Sequence, residues 1–259
     1  MNTKRRTLLA AAMAASGLGL TGIARGQAKP AAGRKIVLGQ SVPLTGAASE
    51  IGLAFSGGAK LFVDAFNARK NNPGYTFELR QMDDGYDPAK AGANAKKLLA
   101  EGADVLFGFV GTASSDAGAA VANQEGAIFF APFAASDKLR DGSQPNIFHI
   151  RPSMADEALK MVRHCATLGQ TRIAVLAEDD AMGRAGLAAV NQALAESKLP
   201  LAGSAIIPVN SDKVDAAVAA LNKVQPQAII QVALFNSTAA FIRKMRKACL
   251  LYTSDAADE

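Results

Sequence analysis

Cysteine and histidine are scarce, with two of each in 259 residues. No paired-cysteine spacing and no His-Glu-x-x-His run occurs, so a zinc centre finds no ligand set in the sequence. Also missing are a Gly-x-Ser-x-Gly elbow and a phosphate loop closing on Gly-Lys-Ser/Thr, which leaves serine hydrolysis and nucleotide hydrolysis without a candidate. Beyond the first turns of the chain no apolar run approaches the roughly 20 residues of a membrane span, which excludes a polytopic membrane protein. Ten prolines and 23 glycines are too few for a collagen or a low-complexity linker. With 49% hydrophobic and 20% charged residues, the chain can bury the core of one large or two modest lobes.

The two ends read as foreign to that fold. Residues 1–28 open with Lys4, Arg5 and Arg6, continue through an apolar stretch from Leu8 to Leu20, and offer small residues at Gly26 and Ala28 before Lys29. This is the pattern of a cleaved export signal, by the general or the twin-arginine route. A dinucleotide-type glycine pattern, Gly17-Leu18-Gly19-Leu20-Thr21-Gly22, falls inside that signal with no strand before it, and is read as a chance match. Losing Lys4, Arg5, Arg6 and Arg25 lowers the formal charge from +5 to +1 and removes the electrostatic case for nucleic-acid binding. Residues 249–259 resemble a translated sequencing adapter, so the natural chain is expected to continue past Ala248. Only Cys165 then remains, and no disulfide can close within residues 29–248. No cysteine stands at the signal junction for lipid attachment, so the exported chain is expected free in a periplasm.

From Lys35 onward short β-rich runs alternate with stretches of helical periodicity, the rhythm of βαβ units on a parallel sheet. The class is α/β. Strands are expected at residues 36–40, 76–82, 105–109, 128–131, 173–177, 205–209 and 228–232. Helical faces repeat at Phe55, Ala59, Phe62 and Phe66, at Leu159, Val162 and Ala166, at Leu187, Val190 and Leu194, and at Val214, Val218 and Leu221, and all are read as core. Asp87 before Pro88, and Ser211-Asp212 before Val214, have the placement of helix caps. Residues 137–152 break the rhythm and mark a boundary between a first lobe, 29–150, and a second, 151–248, with four strands before it and three after.

In such sheets ligands meet the loops leaving the carboxyl ends of the strands. Residues 108–115 combine small residues with hydroxyls ahead of a helix whose N-terminus favours an anion, with Ser114 or Ser115 as its cap and Thr112 as a candidate contact. Residues 132–137 form a second short-side-chain loop able to clamp the same group. The carboxylates of Asp83, Asp84 and Asp87 superficially suggest calcium, but a calcium loop's other oxygen ligands are missing and Asp87 is better placed as a cap. His149, His164 and Cys165 are read as packing or surface residues, and the basic run Arg243–Lys247 as a solvated helix end.

Taken together, Gln40–Gly46, Asp83–Pro88, Gly108–Ser115 and His149–Ser153 resemble the periplasmic solute-binding proteins of branched-chain amino acid ABC transporters, over residues 35–248. The resemblance implies a type I periplasmic binding protein of two doubly wound lobes joined by a hinge, incomplete at its C-terminus. It also implies a monomer that needs no cofactor and hands its solute to a membrane permease. Matched by position, carboxylate-holding sites fall on Gly111, Thr112, Phe133 and Ala135, and second-lobe contacts on Met182 and Leu234. The family's amino-acid binders usually carry a hydroxyl residue where Ala135 stands and an aromatic where Met182 stands. The expected solute is therefore a branched-chain or other amino acid, or an aromatic or aliphatic carboxylate. A sensor module of the same fold and a doubly wound enzyme are the alternatives.

Overall fold

Ile173–Glu178 is buried along its whole length, which a strand achieves only with layers packed on both its faces. Its alternate residues separate accordingly. Ile173, Val175 and Ala177 join one apolar cluster, while Ala174 and Leu176 join another. This strand is β6 of eight in a computed structural model that describes residues 33–71 and 74–248. The expected export signal and C-terminal tail lie outside the described residues.

The strands are β1 (Arg34–Val42), β2 (Tyr75–Asp83), β3 (Val105–Phe107), β4 (Ile128–Phe130), β5 (Ile147–Phe148), β6 (Ile173–Glu178), β7 (Leu201–Ile207) and β8 (Ala228–Val232). The helices are α1 (Ser49–Asn67), α2 (Pro88–Ala100), α3 (Thr112–Glu125), α4 (Met154–Thr167), α5 (Ala181–Glu196), α6 (Asp215–Lys223) and α7 (Phe235–Lys247). A five-stranded sheet has the order β2-β1-β3-β4-β5 and a three-stranded sheet the order β7-β6-β8. β3 pairs parallel with β1 and β4, β4 with β5, and β6 with β7 and β8. The described residues from Lys35 to Ala248 form one compact unit that holds both sheets.

α4 and α5 cover one face of the smaller sheet, and α6 and α7 the other. On the larger sheet, Leu98 of α2 and Val121 of α3 close over Leu106, Phe129 and Ile147. The helix starts follow local chemistry. Asp87 accepts from the N–H of Ala89 at 2.8 Å ahead of Pro88, as its placement predicts. Ser153 and Asp156 form a reciprocal capping box at α4.

Several expectations are corrected. Four strands precede residues 137–152 as expected, and within that segment residues 147–148 add a fifth strand by pairing with β4. β7 begins four residues early and ends at Ile207, since its register on β6 recruits Leu201, Gly203 and Ser204 despite their weak β preference. Ser211 and Asp212 do not cap α6. The Ser211 hydroxyl accepts from Lys213 N–H in the preceding turn, and α6 starts at Asp215 with no side-chain cap. α3 begins after Gly111 without a side-chain cap, and Ser115 instead donates its hydroxyl to the Phe109 carbonyl at 3.2 Å. The face of α1 that is buried runs through Gly52, Ser56 and Val63. Phe62 is 60% exposed and Phe55 and Phe66 only half-buried, so the phenylalanine stripe is not core.

Candidate functional site

The carboxyl ends of β3, β4, β6 and β8 open on a cleft of about 470 Å³ between the loops of the two sheets. Gly111, Thr112, Phe133, Ala135, Met182 and Leu234, the six residues singled out from sequence, all line it. Thr112, Ala135 and Leu234 are buried, whereas Phe133 is 39% exposed to the cleft.

Backbone hydrogen bonding decides which of these residues has a donor to offer. Val110 and Phe133 form an isolated parallel bridge. Gly111 N–H donates to the Phe133 carbonyl at 3.2 Å and Phe133 N–H to the Phe109 carbonyl at 2.8 Å. The amides of Gly111 and Phe133 therefore stitch the two loops together and do not face a ligand. The Ala135 carbonyl is likewise occupied, by Met154 N–H at 2.6 Å, which fastens this loop to α4. The donors that remain are the Ala135 N–H, which no bond among the described residues engages, and the first turn of α3, whose N–H groups lack intrahelical acceptors by geometry and here lack a side-chain cap as well. Gly111 makes this arrangement possible. It sits at φ +101°, and a Cβ there would meet the Tyr86 ring at 2.5 Å. An uncapped helix N-terminus beside the Thr112 hydroxyl suits an anionic group.

The apolar walls come from Ile51, Val110, Phe133, Met154, Met161, Met182, Leu234 and Phe235. Against them stand polar groups that the sequence reading missed. Arg151 Nη2 donates to Glu157 Oε1 at 2.6 Å, and the guanidinium lies 5.3 Å from the centre of the Phe133 ring. Gln231 also lines the cleft, with its Oε1 buried and without a donor. Met154, Glu157 and Met161 follow a three-then-four spacing along α4, a signal present in the sequence but overshadowed by the neighbouring stripe of Leu159, Val162 and Ala166. Arg151 stands in the His149–Ser153 run but nothing local gave it a place in the cleft, because only the β5–α4 connection brings it over Phe133.

Among the described residues, two side-chain hydrogen bonds cross from the loops of one sheet to those of the other. The Tyr86 hydroxyl donates to Asp180 Oδ2 at 3.2 Å, and Asn210 Nδ2 donates to the Ala47 carbonyl. Burial, reinforced by the negative charge of Asp180, pushes the Tyr86 phenol above its ordinary value, so it stays protonated and donates. Asp180 also caps α5 by accepting from Gly183 N–H at 2.7 Å. Asn210 is held from behind, its N–H donating to the buried Glu178 carboxylate at 2.7 Å.

The acidic loop after β2 is occupied by its own structure. Asp83 accepts from the N–H groups of Leu44, Thr45 and Gly85, and Asp84 from Ser41 Oγ at 2.7 Å and Tyr86 N–H at 2.8 Å. Burial pushes the Asp84 carboxyl up, against the pull of those two donors. Among the described residues no cluster of three or more His, Cys, Asp or Glu is placed to hold a metal ion. Among them too, no helix is long and apolar enough to cross a membrane.

No curated protein sequence matches the chain. Solved structures do. A structure described as a possible leucine/isoleucine/valine-binding protein from Rhodopirellula baltica is 25% identical, with 86% of this chain and 62% of that one covered at a TM-score of 0.78. A substrate-binding periplasmic protein from Ralstonia solanacearum is 28% identical over 82% of this chain and 61% of its own, at 0.73. An ABC transporter solute-binding protein from R. palustris, solved with benzoate, shares the fold at 20% identity and 0.75, over 83% of this chain and 60% of its own. The chain thus spans about three fifths of the length of the structures it matches. A family model described as periplasmic binding protein matches residues 35–250. With two parallel α/β sheets, a cleft at the carboxyl ends of their strands and that match across most of its length, the chain belongs to the periplasmic binding protein family and has its type I fold.

Proposed function

We propose that this chain is the extracytoplasmic solute-binding component of an ABC importer, and that its cargo is a small solute bearing a carboxylate. The uncapped N-terminus of α3, opening beside the Thr112 hydroxyl into a cleft whose walls are largely apolar, carries the reading. In this reading Thr112 and the first-turn amides of α3 hold the carboxylate, and Ala135 and Phe133 form the floor beside it. Met182 and Leu234 close on the solute from the smaller sheet. Residues 29–150 and 151–248 act as two lobes about the β5–α4 connection, in a monomer exported to the periplasm with its signal removed and docking on a membrane permease.

The apolar walls of the cleft bear on the body of the solute. Met154, Met161 and Met182 are adaptable and polarisable, and with Phe133 and Phe235 they suit a ring or a branched aliphatic chain. Benzoate, the ligand of the R. palustris structure, is a carboxylate of that kind.

Titration calorimetry with benzoate, leucine, valine and short aliphatic acids tests the proposal. At least one carboxylate is expected to bind, and Thr112→Ala to weaken it about tenfold, the loss expected for a hydrogen bond to a charged group. Unchanged affinity in Thr112→Ala for every acid that binds would falsify the anion-holding role.

A further inference from the structure

The cleft has a second polar pole, and its chemistry differs from that of the first. Arg151 and Glu157 are joined through one guanidinium nitrogen and one carboxylate oxygen. The other guanidinium N–H groups and Glu157 Oε2 take no protein partner among the described residues, although both side chains line the cleft. The pair is fixed in place. Arg151 lies over the Phe133 ring, and Glu157 stands in the first turn of α4, which is anchored by its capping box and by the bond from Met154 N–H to the Ala135 carbonyl.

An ion pair of this form offers donors and an acceptor side by side with no net charge. A second carboxylate on the solute would gain from Arg151 but face Glu157, and an ammonium would meet the converse conflict. The group that matches both is neutral and able to accept and donate at once, which describes a hydroxyl. The stacked Arg151 and Phe133 and the methionines around them suit a flat ring between the two poles.

We propose that Arg151 and Glu157 are the specificity-determining pair of the cleft and select a hydroxyl-substituted aromatic carboxylate over its unsubstituted or doubly charged analogues. This rests on the carboxylate reading above.

Calorimetry on the 259-residue chain with benzoate, 3- and 4-hydroxybenzoate, terephthalate and 4-(aminomethyl)benzoate tests it. The better hydroxybenzoate is expected to bind about tenfold or more tighter than benzoate, and tighter than either doubly charged acid. Arg151→Met, which keeps the stem and removes the donors, is expected to bring the hydroxybenzoate within about threefold of benzoate measured on the same variant. Glu157→Gln, nearly isosteric, is expected to narrow the gap in the same direction, and circular-dichroism melts of both variants show whether the fold is retained. Equal wild-type affinity for benzoate and both hydroxybenzoates overturns the inference. So does a loss in Arg151→Met that is equal for all the acids, which would make Arg151 the carboxylate holder. Binding of aliphatic acids alone also overturns it while leaving the carboxylate reading standing. Failure of every acid in both panels overturns the two together.

Discussion

At the scale of single residues, two glycines with opposite surroundings show what the fold demands. A Cβ on Gly183 would stand 1.9 Å from the Glu178 carbonyl, because α5 begins directly against the end of β6. Gly183→Ala is expected to cost about 2 kcal/mol or more, read as a lowered urea midpoint. Gly57 lies in the interior of α1 with nothing within 4 Å of such a Cβ, and Gly57→Ala is expected to raise stability by about 0.5–1 kcal/mol. His149 supplies a pH dependence. Its Nε2 meets the Leu139 carbonyl at 2.9 Å while Nδ1 is buried without a partner, and burial holds the ring below its ordinary value of 6.5. The unfolded chain therefore takes up the proton first, so this contribution to stability is present above pH 6.5 and is lost as the pH falls below it. Urea midpoints at pH 7 and pH 5 are expected to differ less in His149→Gln, which retains a donor for Leu139, than in the wild type. An undiminished difference would assign the loss to other groups.

At the scale of elements, the joints between the sheets are built from loop and cap residues, not from the strands. Asp180 serves twice, capping α5 and receiving the Tyr86 hydroxyl from the opposite side. Tyr86→Phe removes only the second of these. It is expected to speed solute release several-fold in stopped-flow measurements while changing fold stability by no more than about 1 kcal/mol. An unchanged release rate would show that the crossing bond plays no part in retention. The same elements show where local signals sufficed. β8 spans the residues its β-rich run predicts, and Asp87 caps α2 as its place before Pro88 predicts. The start of β7 was invisible, because Leu201–Ser204 has little strand preference and is drawn in by pairing with β6. The missing cap of α3 was invisible for the converse reason. Ser114 and Ser115 look like caps in sequence, but both are buried, and Ser115 turns back to Phe109.

At the scale of the whole molecule, the two sheets are unequally covered. Phe107, Phe130 and Phe148 are register partners across β3, β4 and β5 and so share one face of the larger sheet. α1 reaches Phe107 through Phe55, at 6.4 Å between ring centres, while Phe130 and Phe148 stay 41% and 50% exposed and Ile128 on the same face 45% exposed. A contiguous apolar face at a sheet edge invites association. The 259-residue chain is expected to bind a hydrophobic dye and to self-associate in light scattering, and Ile128→Thr with Phe148→Thr to reduce both. A monodisperse, dye-free wild type would contradict this.

Alternation of β-rich and helical runs by itself determined the α/β class, since the succession of elements along the chain follows from local patterning, and the small residues and hydroxyls after β3 and β4 singled out two loops without fixing what they hold. Only the tertiary structure decided which donors remain there. The bridge between Val110 and Phe133 engages the amides of Gly111 and Phe133, and the turn into α4 brings Arg151 and Glu157 into the same cleft as an uncapped helix. Whether a polar group is free depends on what the rest of the chain brings against it, and no local run of residues carries that information.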